Sequence, residues 1–133
     1  DRKESQWLVH GDVHLGNVFF DDAGRAGFLD WQTVMRGTWA FDVAYFIVVS
    51  LSVEDRRAHE EELLRGYLAR LAEYAGHAPS FDEAWLAYRQ HVMWTFLMVL
   101  CPVERQAEEI CTAHAERICA ALVDLRTLEA LGV

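Results

Sequence analysis

The sequence predicts an α+β domain that is mostly helical, with a small β element at its N-terminal end. Three observations predict this class. Short β-prone runs separated by turn residues occupy the first 38 residues, whereas apolar residues recur at three- and four-residue steps after Gly37. The composition, 133 residues with 53% hydrophobic and 25% charged side chains, is typical of one compact globular domain. We therefore expect a single domain over residues 1–133.

The β element is expected to centre on a hairpin over residues 17–31. Residues 7–10, 18–20 and 27–29 are β-prone runs. The second and third runs flank a segment, residues 21–24, whose Asp and Gly residues favour a turn. This pattern predicts two antiparallel strands joined by a tight connection.

About four helices are expected after the β element. Ser52 and Ser80 each precede an acidic residue three positions on, Asp55 and Glu83, which is the pattern of a capped helix start. An earlier apolar helix is expected to begin near Asp42, for which this position predicts an N-cap.

The helix ends follow from Gly and Pro residues. The helix that starts at Ser52 is expected to end near Gly76, and the next one to run up to Pro102. Apolar spacing predicts one last continuous helix from Val103 to about Leu128.

Charge and hydropathy exclude several classes of partner. With 12 Lys and Arg against 21 Asp and Glu the net charge is −9, so nucleic acid and anionic membrane surfaces are not expected partners. The longest apolar runs, 43–51 and 92–101, are about half of the ~20 residues that a membrane-spanning helix needs. Three cysteines, an odd number, favour a reduced cytoplasmic setting.

Three oxygen-bearing side chains in the β region carry candidate chemistry. Asp12 follows the first β-prone run, Asn17 opens the expected hairpin and Asp30 closes it. Because antiparallel pairing brings the two ends of a hairpin together, Asn17 and Asp30 are expected to meet at one end of the sheet. Mg²⁺ prefers oxygen ligands of this kind. Asp12 would then be free to accept a proton from an incoming hydroxyl group.

The same segment resembles the catalytic motif of the aminoglycoside phosphotransferase and choline-kinase-like families, including the ecdysteroid-kinase-like branch. The residues that match are His10, Gly11, Asp12, His14 and Asn17, followed by Asp30, Trp31 and Asp42. Gly11 stands where a protein kinase has Arg, and Trp31 where it has Phe. These families phosphorylate hydroxyl groups of small molecules.

The resemblance implies the C-terminal lobe of a protein-kinase-like fold and an ATP-dependent phosphotransferase. By it, Asp12 is the catalytic base and His10 fixes its loop, Asn17 and Asp30 hold Mg²⁺, and Asp42 braces the loop from beneath. It further implies a pocket for a small alcohol. The residues assigned to that pocket are His14, Trp31, His91, Trp94 and Met98.

The chain departs from these families because it has no Gly-rich loop and no strand lysine, Lys3 being its single lysine. We therefore expect the ATP-gripping N-terminal lobe of the same parent protein as a partner, and negligible turnover from residues 1–133 alone. The acceptor stays open among aminoglycosides, choline, homoserine, sugars and steroid-like alcohols. The Asp-Trp-Gln sequence from Asp30 favours the choline- and ecdysteroid-kinase-like branch.

Two other functions compete with this one. Gly11-Asp12-Val13-His14 is similar to a segment of metallophosphoesterases, which use two metal ions and further Asp and His clusters. A non-catalytic kinase-like lobe would instead dock a partner through an exposed apolar patch, for which Trp7, Trp39 and Phe41 are the candidates. A metal site from Cys111, His114 and Cys119 is not expected, because one helix face cannot complete a tetrahedral shell.

Overall fold

The computed structural model describes residues 6–97, 104 and 106–133. In these residues five α-helices accompany two antiparallel sheets of two strands each. The strands are β1 (Trp7–Val9), β2 (Val18–Phe20), β3 (Ala26–Phe28) and β4 (Met35–Gly37). The helices are α1 (Trp39–Ser50), α2 (Val53–Ala75), α3 (Phe81–Thr95), α4 (Glu108–Asp124) and α5 (Thr127–Ala130). The mostly helical α+β class is confirmed, and no helix in the described residues meets the length and apolarity needed to cross a bilayer.

The predicted hairpin is confirmed as the β2–β3 pair, with Val18 opposite Phe28. Asp21 organises its turn, since its Oδ1 accepts hydrogen bonds from the backbone N–H groups of Ala23 at 3.0 Å and Arg25 at 2.9 Å. The hydrogen bonds from Arg25 lower the pKa of Asp21 below its usual value. An Asp at this position therefore holds the turn closed.

The β1–β4 pair was not predicted. In this second sheet Trp7 lies opposite Gly37 and Val9 opposite Met35. Strand β4 is three residues long and comes shortly after a 3₁₀ helix at Trp31–Thr33. So short a segment cannot show the alternation of apolar and polar residues from which a strand is predicted. The pairing closes residues 10–34 into a loop whose two ends are tied together at its base.

The helix starts at Ser52 and Ser80 are confirmed, because both side chains accept hydrogen bonds from the backbone three residues on. The end of α2 at Gly76 is also confirmed, with Gly76 in the left-handed region at φ 76°. The predicted N-cap at Asp42 is wrong. Thr38 caps α1 by accepting a hydrogen bond from the Ala40 N–H, which leaves Asp42 inside the first turn.

The prediction of one last helix from Val103 to Leu128 is wrong. Helix α4 begins at Glu108, and Arg126 at φ 49° separates α4 from α5. The Arg89 guanidinium donates hydrogen bonds to the carbonyls of Leu125 and Arg126, and these contacts draw the chain toward α3. Pro102, the predicted end of the preceding helix, lies outside the described residues.

Helix α1 is the central element of the fold. It packs most extensively against α3 and also contacts α2, α4 and β1. Ala40, Ala44 and Val48 are completely buried. Small alanine side chains allow the neighbouring backbones to approach closely, and α1 is therefore held on several sides by apolar contacts.

A buried charge cluster ties the helices α2, α3 and α4 together. Arg56, 1% exposed, binds both carboxylate oxygens of Glu60 at 2.9 Å and also pairs with Asp124 of α4. The Tyr88 hydroxyl of α3 donates to Glu60 at 2.9 Å. Hydrogen bonding from Arg57 lowers the pKa of Asp124, and burial raises the pKa of the Tyr88 hydroxyl. Each charge in the cluster thus has an opposite charge or a donor beside it.

Replacing Arg56 with Met is expected to destabilise the domain by about 3–5 kcal/mol, because Glu60 and Asp124 would lose their shared cation. Urea unfolding followed by circular dichroism measures the change. Arg70→Met is the control, since Arg70 pairs with Glu73 on the exposed face of the same helix and should cost less than about 1 kcal/mol. Equal unfolding midpoints for the two variants would contradict the importance of the buried cluster.

Candidate active site

Asp42 holds the backbone of the loop that follows β1. Its Oδ2 accepts the N–H of His10 at 2.7 Å, and its Oδ1 accepts the N–H of Gly11 at 3.0 Å. Both carboxylate oxygens are used, and hydrogen bonds to an ionised acceptor are stronger than neutral ones. These are the contacts expected of a residue that braces the loop.

His10 connects the loop to the β2–β3 hairpin. Its Nδ1 accepts the N–H of Asp12 at 3.2 Å, and its Nε2 lies 2.7 Å from the carbonyl oxygen of Leu29. A carbonyl can only accept, so the proton is on Nε2 and the ring is neutral. The ring is 2% exposed and lies 4.6 Å from the Trp31 ring. His10 therefore fixes the position of Asp12 and belongs to the framework of the site.

Gly11 is required by the close approach of two backbone segments. Its φ is +86°, in the region that side-chain-bearing residues rarely adopt, and a Cβ there would lie 2.7 Å from the carbonyl oxygen of Thr33. The Thr33 hydroxyl donates to the carbonyl of His10 at 2.8 Å and closes this contact. The geometry accounts for glycine at the position where a protein kinase has arginine.

The Asp12 carboxylate lies at the centre of the site, with a third of the side chain exposed. The Tyr45 hydroxyl donates to Oδ1 at 3.1 Å, and Asn17 Nδ2 lies 3.4 Å from Oδ2. His14 Nε2 lies 3.7 Å from the same Oδ2. Because His14 Nδ1 accepts the Gly16 N–H at 3.1 Å, the proton of the neutral ring is on Nε2, facing Asp12. Donors thus surround a carboxylate that water still reaches.

Asn17 and Asp30 both carry side-chain oxygens, which are the ligand type that Mg²⁺ prefers. The buried Asn17 donates through Nδ2 to the carbonyl of Asp12 at 3.0 Å, which leaves its Oδ1 as an oxygen ligand. The Leu29 N–H donates to the carbonyl of Asn17 at 2.8 Å, so Asp30 follows the residue paired with Asn17. The exposed Asp30 carboxylate accepts from Gln32 at 3.2 Å.

The backbone at Asp30 has an uncommon conformation. Its φ is 56°, one of two positive values among the non-glycine residues that the structure describes. Such conformations cost about 1–3 kcal/mol and cluster at functional sites. No group of three or more His, Cys, Asp or Glu side chains suited to a metal ion occurs in residues 6–97, 104 and 106–133. Two protein oxygens, with phosphate oxygens and water, are nevertheless a usual Mg²⁺ environment.

The residues assigned to an acceptor pocket fall in different places. His14 lies beside Asp12, whereas the Trp31 indole donates to the Phe28 carbonyl at 2.9 Å and packs on His10. On α3, His91 Nδ1 bonds the Ala87 carbonyl at 2.7 Å. The exposed Trp94 ring lies 6.2 Å from Phe41 of α1. Met98 lies outside the described residues.

One site residue, Tyr45, escaped the sequence reasoning. Tyr45 lies within an apolar helix, where its ring is typical of a core residue, and only the fold brings its hydroxyl to Asp12. On α4, burial first, then the positive charge of Arg117, lower the pKa of His114. The motif residues themselves carry no signal for the contact between Tyr45 and Asp12.

An apolar cleft of about 500 Å³ opens behind the loop, between β1, α1 and α2. Trp39, predicted as part of an exposed patch, is 8% exposed and stacks on Tyr67 at 5.3 Å. Burial and the nearby Asp42 carboxylate raise the pKa of Tyr67 to about 12. The prediction of Trp39 at a docking edge is wrong, because the ring fills the space between α1 and α2.

Comparison with known proteins assigns the chain to the class of kinase-like proteins. The model of the ecdysteroid kinase-like family matches residues 1–79, more than half of the chain, and the chain belongs to this family. The match spans Asp12, Asn17, Asp30, Asp42 and Tyr45. The resemblance seen in the motif is thereby confirmed.

A curated relative from Caenorhabditis elegans, described as an uncharacterized kinase-like protein, is 31% identical over 87 residues. These residues cover 63% of this chain and 23% of that protein, so the chain spans less than a quarter of the length of its curated relative. No solved structure gives a significant match.

Gly11→Ala is expected to destabilise the domain more than Gly24→Ala. Both glycines have positive φ, at +86° and +74°, but a Cβ at Gly24 meets open space. The shared backbone strain costs about 1 kcal/mol, and the clash with Thr33 adds to it only at Gly11. Thermal unfolding of both variants measures the difference, and equal losses would show that no close approach constrains Gly11.

Asp42→Asn is expected to lower the free energy of unfolding by about 1–3 kcal/mol. The asparagine amide has one acceptor oxygen, whereas the N–H groups of His10 and Gly11 each bind a separate oxygen of the carboxylate. Hydrogen exchange at the amides of His10 and Gly11 should accelerate at the same time. Asp82→Asn is the matched control, since Asp82 is exposed in the first turn of α3. Unchanged exchange at both amides in Asp42→Asn would refute the bracing contact.

Proposed function

We propose that this chain is the catalytic and acceptor-binding lobe of an ATP-dependent phosphotransferase that acts on a hydroxyl group of a small molecule. The observation that carries the proposal is the environment of Asp12. Its carboxylate stands on a braced loop, within 3.4 Å of Asn17, and remains one-third exposed. A carboxylate that is positioned by several contacts and open to solvent is suited to receive a proton.

In the proposed reaction the acceptor oxygen attacks the γ-phosphorus of ATP. The new phosphorus–oxygen bond forms while the bond to the β–γ bridging oxygen breaks, and ADP leaves. The proton of the acceptor hydroxyl moves to the Asp12 carboxylate. Phosphoryl transfer depends mainly on positioning and charge stabilisation, and the rigid loop serves the first of these needs.

Asn17 and Asp30 would hold Mg²⁺, which neutralises charge on the phosphate oxygens when bound. A cation is needed because a chain with a net charge of −9 does not by itself attract a polyphosphate. Asn17 has two roles in this proposal. Its amide nitrogen donates to the Asp12 carbonyl and so holds the loop, and its amide oxygen would bind the metal ion.

The remaining nucleotide contacts would come from an N-terminal lobe of the same parent protein. We propose residues 1–133 as one domain of that protein, with negligible turnover alone, and the cytoplasm, which supplies Mg·ATP, as its location. The acceptor would be a small alcohol. The class of acceptor stays open among the alcohols considered above.

Asp12→Asn in the full-length parent protein is expected to lower phosphate transfer by about 10²–10⁴-fold, because the amide cannot accept the proton. Transfer from γ-labelled ATP is measured with choline, an aminoglycoside, a sugar and a polyhydroxylated steroid as acceptors. Asp22→Asn in the exposed hairpin turn is the control and should retain full activity.

Full activity of Asp12→Asn would refute the assigned role of Asp12. Hydrolysis of phosphate esters without ATP would favour the metallophosphoesterase alternative instead. A wild-type parent that transfers phosphate to none of the four acceptors would count against the proposed acceptor class.

A further inference from the structure

A tyrosine hydroxyl from the central helix contacts the proposed base directly. Tyr45 is 6% exposed, and its hydroxyl donates to Asp12 Oδ1 at 3.1 Å across 33 residues of sequence. A buried phenol positions its oxygen precisely only if the ring cannot move, and here the ring is enclosed in the core around α1.

The same helix also holds the backbone of the loop. Asp42 and Tyr45 are three residues apart on α1, so they lie on one face of the helix. Asp42 binds the N–H groups that precede Asp12, while Tyr45 binds the Asp12 side chain. One rigid element thus sets both the path of the loop and the orientation of the carboxylate at its tip.

The contact distinguishes the two oxygens of Asp12. Oδ1 accepts a hydrogen bond from the Tyr45 hydroxyl at 3.1 Å, whereas Oδ2 has longer contacts to Asn17 at 3.4 Å and His14 at 3.7 Å. An oxygen that already accepts a hydrogen bond from a buried donor is less available for a second partner. The less committed Oδ2 is therefore the oxygen suited to take the proton.

We propose that Tyr45 is a positioning residue of the phosphotransfer reaction, whose hydroxyl fixes the Asp12 carboxylate so that Oδ2 faces the acceptor hydroxyl. This inference rests on the proposed function. Tyr45 touches neither the acceptor nor ATP in this role and acts only through Asp12. Loss of its hydroxyl should consequently change the rate of the chemical step and spare nucleotide binding.

Tyr45→Phe in the full-length parent protein tests the inference, because it keeps the buried ring and removes the oxygen. We expect kcat to fall about 10–100-fold, since a misplaced catalytic group costs up to about 10² in rate. KM for Mg·ATP should change less than about twofold. Tyr74→Phe, at an 86% exposed tyrosine, is the matched control and should keep the wild-type kcat.

A double variant separates positioning from a general structural effect. If Tyr45 acts through Asp12, adding Tyr45→Phe to Asp12→Asn causes no further loss of residual transfer. Losses that multiply in the double variant would overturn the inference, as would a wild-type kcat for Tyr45→Phe. Either result leaves the proposed function standing if Asp12→Asn alone lowers transfer as expected, whereas full activity of Asp12→Asn overturns both.

Discussion

The site depends on one carboxylate and the two backbone N–H groups that it accepts. His10 and Gly11 turn their amides toward the Asp42 carboxylate, and Gly11 does so at a positive φ. A buried N–H without an acceptor costs about 1–3 kcal/mol. Asp42 accepts hydrogen bonds from both amides and belongs to α1, the central helix of the fold. The loop is therefore fixed to a helix that is itself held by the core.

The remaining contacts of the loop extend this constraint outward. Through its two ring nitrogens, His10 links the Asp12 amide on one side to the Leu29 carbonyl on the other. The hairpin that carries Asn17 and Asp30 is thereby tied to the same helix. The charge cluster around Arg56 joins α2, α3 and α4, the helices that pack against α1. The loop that carries Asp12 is thus held by α1, and α1 is held in turn by α2, α3 and α4.

The range that the family model matches contains the elements that form the candidate site. Residues 1–79 hold the loop, the hairpin and the bracing helix, and these are the residues that the family model matches. Helices α3, α4 and α5 follow this range; α3 and α4 pack against α1, and α5 packs against α3 and α4.

The sequence by itself determined the elements whose causes are local. These elements are set by residues close to them in sequence. The examples are the turn residues after Phe20, a serine with an acid three positions on, and the glycine at the end of α2. It also determined the family, because motif spacing is a property of the chain alone. Only the tertiary structure decided that Thr38 rather than Asp42 caps α1. It also decided that α4 ends before Arg126, where Arg89 binds the preceding carbonyl, and that the Tyr45 hydroxyl contacts Asp12. The contacts of Arg89 and Tyr45, and those of Asp42 with the amides of His10 and Gly11, join residues that are distant in sequence. Their free energy exists only after the helices have packed.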